Sequence, residues 1–472
     1  MSLLLINAGA TAWAAPVGEE RFDVRLEGDR ITEVGVGLQR RPGEGVFDLE
    51  GMRVAPGLHD HHIHLRALAA IESSVIVGPP EVQNLSEFSE RLHSSEAHML
   101  SGQWLRGVAY HESVAGDLDR QILDALIPDR PVRIQHSTGM LWILNSRALR
   151  ELGLRDDAPG GAERDAHGHL NGRFWREDAW LADRLPKTSH DFSALSQLAA
   201  SRGITGFTDA TPGAREEEVA AFVEANKDAV LLQRLCVMAE PGTVAPDSDM
   251  VTLGPIKILL DEIDLPDFDD LVTRFRDAHA CGRPAAVHCV TRTTAVLAVS
   301  AFEAAGVLRG DRIEHGSILG PDTIEAIARL EICVVTQPGL LVTRGDRWLA
   351  DVPERSHQDL WRLGSLAEAG ITLAGSTDAP YGSADVWLGI GAAHDRRTMD
   401  GAILGTGEGL RPSASLALFT SDPHDLRRQR QVVPGEWADL VVVEPGSAGY
   451  SGVPTPLVKA TFVAGRLIYT AP

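Results

Sequence analysis

The stretch that decides the fold is Ala55-Pro-Gly-Leu-His-Asp-His-His-Ile-His64, an apolar lead that runs into a group of histidines. In an extended strand, residues two apart point to the same face, so His62 and His64 present their imidazoles on one side. Two imidazoles on one side can bind the same divalent cation. Taken alone, the pair is equally compatible with histidines that bind nothing.

Outside this stretch, short apolar segments alternate with amphipathic ones, the pattern of βα units around a parallel sheet. Eight segments have the length and composition of strands: 53–58, 132–136, 206–209, 256–260, 285–288, 311–315, 332–337 and 372–376. Eight such strands predict an α/β fold of the (β/α)8 type, a TIM barrel.

Both ends of the chain are rich in short strand signals, so residues 1–55 and 425–472 are predicted to form one small sheet domain. Residues 56–424 are left for the barrel. Two segments, about 72–130 and 153–187, are longer than a βα connection needs. We interpret them as insertions near the barrel mouth.

Polar residues recur at the ends of the predicted strands, where a barrel of this type holds its active site. Besides His62 and His64, they are His288, His315 and Asp378. Lys257 is the exception and would point inward from within its strand. The convergence of these residues on one face favours a metal site over unrelated structural histidines. For Asp378, capping of a helix N-terminus is the alternative.

Lys257 stands among non-polar residues in Gly-Pro-Ile-Lys-Ile-Leu-Leu. A buried ammonium is costly unless it is paired or chemically altered. One interpretation is a lysine carboxylated by carbon dioxide, which becomes an anionic oxygen ligand that bridges two metals. The other is a buried lysine that pairs with Asp261 or Glu262.

The 472-residue chain carries a formal net charge of −22, and its densest basic cluster is only Arg427-Arg428-Gln429-Arg430. This excludes the basic surface expected of a protein that binds nucleic acid or an anionic membrane. The apolar opening at 1–16 lacks the basic residues of a secretion signal, and the four cysteines show no paired spacing. We therefore expect a cytoplasmic protein with a small-molecule substrate. A homo-oligomer is neither predicted nor excluded.

Several motifs resemble those of the amidohydrolase superfamily, most closely the amidohydrolase 3 branch that contains N-substituted formamide deformylases. The matching stretches are Ala55-Pro-Gly-Leu-His-Asp-His-His-Ile-His64, Asn145-Ser-Arg-Ala-Leu149, Gly203-Ile-Thr205, Thr208-Asp-Ala210, Arg312-Ile-Glu-His315, Ser376-Thr-Asp-Ala-Pro380 and Pro434-Gly-Glu-Trp-Ala-Asp-Leu440. They run almost end to end along the chain in the expected order.

This resemblance implies a binuclear zinc-type centre, a carboxylated lysine and a small β-sandwich built from both chain ends. One metal would take His62, His64, Lys257 and Asp378, and the other would take Lys257, His288 and His315. Iron, manganese, cobalt or nickel suit the same ligands.

The implied activity is that of a metal-dependent amidohydrolase, in which metal-activated hydroxide attacks a carbonyl and a non-peptide carbon–nitrogen bond breaks. Asp378 would act as general base and then as general acid. One alternative is a mononuclear deaminase with Lys257 as a bystander. Such deaminases usually place a Glu three residues after the strand-five histidine, where this chain has Thr291. The other is a non-catalytic scaffold, although no ligand is missing.

Five residues on segments expected to face the barrel mouth are candidates for substrate contact: Tyr110, Met140, Trp142, Gln337 and Arg344. Arg344, like Arg292, could hold a substrate carboxylate through a forked pair of hydrogen bonds. Two departures from the family concern the pocket. Thr138-Gly-Met140 stands where the branch usually has Asp-Gly-His, and Cys289-Val-Thr-Arg292 stands where a Gly-Asp pair is common. We expect a more apolar pocket than in typical members.

Overall fold

The computed structural model describes residues 2–9, 20–72, 74–100, 102–154, 158–177, 180–181, 183–185, 191–444 and 455–471. Parts of the predicted terminal domain and of the predicted insertion at 153–187 therefore lie outside the described residues. The chain divides into two compact units, one formed by Met1–Leu65 with Phe192–Pro472 and the other by Arg66–Asp191.

In the first unit, strands from both chain ends share one eight-stranded sheet. They are β1 (Ser2–Gly9), β2 (Arg21–Glu27), β3 (Arg30–Gly35), β4 (Gly45–Asp48), β5 (Arg53–Pro56), β23 (Leu440–Glu444), β24 (Leu457–Val463) and β25 (Arg466–Thr470). The order is β25-β24-β23-β5-β1-β2-β3, with β4 beside β1. Because strand side chains alternate between faces, apolar residues such as Leu5, Val24 and Phe462 gather in one core.

The second unit contains a six-stranded sheet of mixed direction. Its strands are β7 (Val75–Ile76), β8 (Leu105–Tyr110), β9 (Val132–His136), β10 (Leu141–Leu144), β11 (Ala162–Arg164) and β12 (Leu170–Trp175), in the order β11-β12-β10-β9-β8-β7. The helices are α1 (Leu65–Glu72), which begins at the unit boundary, α2 (Leu85–Glu96), α3 (Glu112–Ala115), α4 (Arg120–Leu126) and α5 (Ser146–Glu151). The strand predicted at 132–136 therefore exists, but its assignment to the barrel was wrong. An isolated apolar segment carries no mark of the sheet that it joins.

Two parallel sheets complete the strand framework of the first unit. The first has the order β15-β14-β13-β6 and is made of β6 (Leu58–Ile63), β13 (Ile204–Ala214), β14 (Arg234–Ala239) and β15 (Val251–Leu253). The second runs in chain order through β16 (Ile256–Leu259), β17 (Ala285–Cys289), β18 (Arg312–His315), β19 (Cys333–Thr336) and β20 (Leu373–Gly375). Strands β13 and β14 contact β16, and β20 contacts β6. Parallel strands joined through helices confirm the predicted α/β class.

Helices of the first unit follow most of these strands. They are α6 (Ser193–Ser201), α7 (Glu216–Lys227), α8 (Phe268–Ala280), α9 (Arg292–Ala305), α10 (Pro321–Arg329), α11 (Pro338–Asp351), α12 (Leu363–Glu368), α13 (Val386–Asp395) and α14 (Pro412–Ala417), with a 3-10 turn at Glu354–Asp359 and a small hairpin of β21 (Ser421–Asp422) and β22 (Asp425–Gln429). Ile258 and Ile313 share a core with Phe275 and Phe302 of α8 and α9. Side chains alternate along a strand, so the residues next to Ile258 in β16 and next to Ile313 in β18 face away from this helical layer. Across the described residues, no helix combines the length and the apolar character that crossing a bilayer requires.

The strand predicted at 53–58 is two strands that separate at Gly57. Strand β5 belongs to the terminal sheet and β6 to the first parallel sheet. A Cβ at Gly57 would lie 2.1 Å from the side chain of Thr205, so this crossing from one sheet to the other requires glycine. As a result, His62 lies inside β6 and His64 directly after it.

Candidate metal centre

His62 and His64 approach Asp378 from the C-terminal end of β6. Their Nε2 atoms lie 3.5 and 3.2 Å from Asp378 Oδ1, and all three residues offer ligand atoms within 4.8 Å of one another. The side chains are only 1, 13 and 11% exposed, respectively. Two imidazoles and a carboxylate at this spacing are typical of a divalent-cation site.

Main-chain hydrogen bonds join the two ligand-bearing segments. Asp378 N donates to His62 O over 2.8 Å, and His64 N donates to Ala379 O over 2.9 Å. Asp378 has a left-handed φ of +55°, a conformation that is costly for a residue with a Cβ and recurs at functional sites. Burial raises the pKa of Asp378, but His64, His315 and His62 outweigh burial and hold this pKa below its ordinary value. The carboxyl is therefore ionised near neutral pH.

His315 joins the cluster because the backbone breaks the alternation of β18. Ile313 belongs to the core shared with the helices, so Glu314 faces the opposite side and His315 would face the helices again. A left-handed φ of +71° at His315 prevents this. Its ring instead lies 4.9 Å from the ring of His62 and 4.4 Å from that of His288. Two consecutive residues, Glu314 and His315, thus reach the same cluster.

Lys257 lies against the histidines, with its Nζ 3.3 Å from His62 Nε2 and only 8% of the residue exposed. Burial lowers the pKa of Lys257 to about 8. The carboxylates that oppose this shift most strongly are those of Glu314 and Asp378, and not the predicted alternative partners Asp261 and Glu262. Lys257 therefore belongs electrostatically to the cluster.

Each of three histidines has its Nδ1 beside an oxygen. The pairs are His62 with Glu314 Oε2 in a short contact, His64 with Thr211 Oγ1 at 3.5 Å, and His315 with Gln337 Oε1 at 2.8 Å. A partner at Nδ1 fixes the ring and leaves the Nε2 lone pair available as a ligand. Burial also lowers the pKa of three of the four predicted histidine ligands, His62, His288 and His315. It therefore favours the neutral form of these rings, which metal binding requires.

Two polar atoms of the cluster are buried and, within the part of the chain that the structure describes, have no hydrogen-bond partner. They are Asp378 Oδ1 and His315 Nε2. A buried polar atom without a partner costs about 1–3 kcal/mol. A divalent cation would satisfy both atoms, because carboxylate oxygen and neutral imidazole nitrogen are among its preferred ligands. The residues present therefore fit a metal.

Glu314 is the principal residue that the sequence interpretation missed. It is fully buried, and its Oε1 accepts a hydrogen bond from Arg312 Nε over 2.6 Å while Oε2 contacts His62. Arg312 also donates to His61 O over 3.3 Å. The signal was present in Arg312-Ile-Glu-His315, where alternation places Arg312 and Glu314 on the side away from Ile313.

Asp60 was also missed, although it links the two ligand-bearing segments. Its Oδ1 accepts hydrogen bonds from His62 N over 3.2 Å and Thr377 N over 3.0 Å, and Oδ2 accepts from the Thr377 hydroxyl. Burial raises the pKa of Asp60 to about 7. Its role in the structure is to hold β6 against the loop that carries Asp378.

Two of the five predicted substrate residues lie in the same unit as the cluster. Gln337 is fully buried, and its amide is occupied by His315 and by Ser376 Oγ, to which it donates over 2.9 Å. Arg344 is partly buried on α11 and donates to Tyr381 O. Arg292, the other predicted carboxylate binder, instead forms an ion pair with Asp359.

The remaining three candidates, Tyr110, Met140 and Trp142, belong to the second unit. Tyr110 is buried and its hydroxyl donates to Gly116 O over 2.8 Å. Trp142 is also buried, with the guanidinium groups of Arg106 and Arg133 at 5.6 and 5.4 Å from its ring. Met140 is 39% exposed. Substrate contact by these three residues stays a prediction.

The sequence model of the amidohydrolase family matches residues 45–469. The chain therefore belongs to the amidohydrolase family, and the resemblance inferred from its motifs is confirmed. It is an enzyme, a hydrolase of the class that acts on carbon–nitrogen bonds other than peptide bonds.

Individual relatives agree with this placement. The N-substituted formamide deformylase of Arthrobacter pascens is 26% identical, over 94% of this chain and 94% of its own length. The putative amidohydrolase YtcJ of Bacillus subtilis is 23% identical, over 90% of each chain. Among solved structures, an uncharacterized metal-dependent hydrolase from Pyrococcus horikoshii has a TM-score of 0.76 at 19% identity, over 94% of this chain and 97% of the other. At this level of sequence identity, the similarity to the solved structure shows a shared fold alone.

Proposed function

We propose that this chain hydrolyses the carbon–nitrogen bond of a small N-substituted amide at a divalent metal centre. The observation that carries the proposal is the convergence of His62 and His64 on Asp378. Both Nε2 atoms lie within 3.5 Å of a buried carboxylate oxygen, and that oxygen has no hydrogen-bond partner among the described residues. A cation at this point would satisfy all three groups at once.

The proposed framework for this centre is a (β/α)8 barrel formed by β6, β13, β14 and β16 to β20. Support comes from the contacts where the two parallel sheets meet, between β14 and β16 and between β20 and β6. In such barrels the active site lies at the C-terminal ends of the strands, which is where five of the six predicted ligands are found. The terminal strands would then form the accompanying small β-sandwich.

We assign two metal positions, with zinc as the expected metal. His62, His64, Lys257 and Asp378 would hold one, and Lys257, His288 and His315 would hold the other. Lys257 would carry a carboxylate derived from carbon dioxide, which would supply oxygen ligands to the centre. The 3.3 Å separation of Lys257 Nζ from His62 Nε2 supports this assignment. So does the lowered pKa of Lys257, because only the neutral amine reacts with carbon dioxide.

When bound, the metal would polarise the substrate carbonyl and lower the pKa of a coordinated water towards about 7. The Asp378 carboxylate, ionised and fixed by its main-chain hydrogen bond to His62 O, accepts a proton from the attacking water. It then delivers this proton to the leaving nitrogen, so that the amine departs neutral as the carbon–nitrogen bond breaks. His62 and His64, beside Asp378 Oδ1, favour the ionised carboxylate before the first transfer and after the second.

Formamides are the first substrates to test, because a relative that spans nearly the whole chain is an N-substituted formamide deformylase. Protein expressed with zinc should therefore release the amine from an N-alkyl or N-benzyl formamide, and elemental analysis should find two metals per chain.

Asp378→Asn tests the proton transfer. We expect kcat to fall by about 10²- to 10⁴-fold, and metal content measured on the same sample separates loss of the base from loss of the metal. Asp322→Asn, in the exposed first turn of α10, is the matched control and should keep wild-type kcat. Full turnover by metal-loaded Asp378→Asn protein would show that another group moves the proton. One tightly bound metal with release of ammonia from an aminated heterocycle would instead support the mononuclear deaminase.

A further inference from the structure

Arg344 lies beside the metal centre and, among the described residues, has no carboxylate partner at ion-pair distance. Its Nη2 donates to the main-chain carbonyl of Tyr381. Within the described ranges of the chain, this is the one hydrogen bond of its guanidinium. Nε and Nη1 of the guanidinium fork therefore remain available for another acceptor.

Contacts of the neighbouring residues place Arg344 close to the metal ligands. Tyr381 follows Asp378 by one turn, with its N donating to Asp378 O over 2.8 Å. The Tyr381 ring meets the ring of His64 edge to face, with centroids 5.4 Å apart. Burial lowers the pKa of Arg344, and Asp378 is the charged group that acts most strongly in the opposite direction. The guanidinium thus lies within electrostatic range of Asp378 but forms no ion pair with it among the described residues.

Several other arginines of this unit have a carboxylate partner, although Arg283 and Arg396, like Arg344, donate to main-chain carbonyls. Arg292 pairs with Asp359, Arg312 with Glu314 and Arg362 with Glu408. Even Arg347, one turn from Arg344 on the same helix and 60% exposed, pairs with Asp351. A partly buried guanidinium with free donors is suited to a planar anion, which it binds through two parallel hydrogen bonds.

We propose that Arg344 binds a carboxylate of the substrate, so that the substrates are N-acylated amino acids rather than N-acylated neutral amines. This inference rests on the proposed function, since it names the substrate class of the same site. In this arrangement the metal ligands would meet the amide and Arg344 would meet the acid group, and together they would orient the bond to be broken.

A matched pair of compounds isolates the carboxylate. N-formyl-leucine, as each enantiomer, and N-formyl-3-methylbutylamine differ only in the presence of that group. We would measure equilibrium binding by calorimetry and kcat/KM by amine release, for wild type, Arg344→Met, Arg344→Lys and the control Arg347→Met. The preference of the wild type for the acid should fall by about 10- to 100-fold in Arg344→Met, the range for a hydrogen bond to a charged group. Arg344→Lys should retain part of the preference because it keeps the charge and loses the fork, and Arg347→Met should keep all of it.

The outcomes separate this proposal from the proposed function. Equal binding of the two compounds by the wild type, or an unchanged preference in Arg344→Met, would overturn the role of Arg344 and leave the hydrolase proposal intact. Carboxylate-dependent binding without hydrolysis of either compound would support Arg344 as the acid site and count against the proposed reaction. Thermal denaturation of each variant shows that a lost preference does not reflect a lost fold.

Discussion

Replacement of Glu314 by glutamine should weaken metal binding even though Glu314 is not one of the assigned metal ligands. In the wild type, Oε1 accepts from Arg312 Nε over 2.6 Å and Oε2 contacts His62 Nδ1. An amide can accept at one end only. If its oxygen stays with Arg312, its NH2 group faces His62 and forces Nδ1 to accept, which moves the imidazole proton to Nε2. His62 Nε2, 3.5 Å from Asp378 Oδ1, would then point a proton at the cation.

The expected magnitude is a loss of about 10- to 100-fold in metal affinity, the usual cost of removing an oxygen partner from a metal-binding histidine. A second effect accompanies it, because Arg312 and Glu314 are only 1 and 0% exposed. Removing one charge of such a pair costs about 3–5 kcal/mol of unfolding free energy. The double variant Arg312→Met/Glu314→Leu should recover much of this stability, since no unpaired charge remains, but it should not recover the metal affinity, because no oxygen is left beside His62 Nδ1.

The assay is chelator competition for zinc, with urea denaturation of the metal-free protein measured in parallel. Glu303→Gln is the matched control, because Glu303 and its partner Arg329 are both 55% exposed; it should change neither quantity. If the stable double variant bound zinc as tightly as the wild type, the idea that Glu314 fixes the proton of His62 would be refuted. If only the less stable Glu314→Gln variant lost zinc affinity, the loss would be due to lower stability and would also contradict this idea.

Two further predictions follow from other parts of the structure. The pKa of Lys257 is lowered to about 8, so its amine is protonated below that pH and neutral above it. Reconstitution of the metal-free protein with zinc, followed by recovery of fluorescence or activity, should therefore become faster and more bicarbonate-dependent as pH rises from about 7 to about 9. In the same assay Lys257→Met should lose the bicarbonate effect. Gly57→Ala should lower the unfolding free energy by about 1–3 kcal/mol through overpacking, because the added Cβ would lie 2.1 Å from Thr205; urea denaturation should show no comparable loss for Gly160→Ala, where the Cβ meets nothing within 4 Å.

The predicted metal ligands could be recognised in the sequence because each is a polar residue within or directly after an apolar strand. A histidine or aspartate directly after an apolar strand is conspicuous, and period-two alternation was enough to place His62 and His64 on one side. His315 illustrates the limit of that reasoning. Strict alternation would send it towards the helices, and only the left-handed backbone at this residue brings it to the cluster. A backbone conformation of this kind leaves no signature in a single sequence.

The residues that position the predicted metal ligands were harder to identify than the predicted ligands themselves. Gln337 was expected to contact substrate, yet its amide is engaged by His315 and Ser376, and Glu314 was passed over beside a more conspicuous histidine. The strand order was similarly difficult. Residues 132–136 have the composition of a buried parallel strand, but the strand belongs to a sheet in the other compact unit, whereas Arg234–Ala239, which lies in a parallel sheet, was not predicted. Sheet membership depends on distant partners, which local composition does not encode.

The hydrogen bonds between Asp60 and Thr377 join residues that are 317 positions apart. The ribosome must therefore add 317 further residues after Asp60 before this contact can form. During synthesis His62 and His64 leave the ribosome well before the loop that carries Asp378. The proposed centre can therefore bind its metal only after both segments have been made and β6 has packed against the loop that carries Asp378.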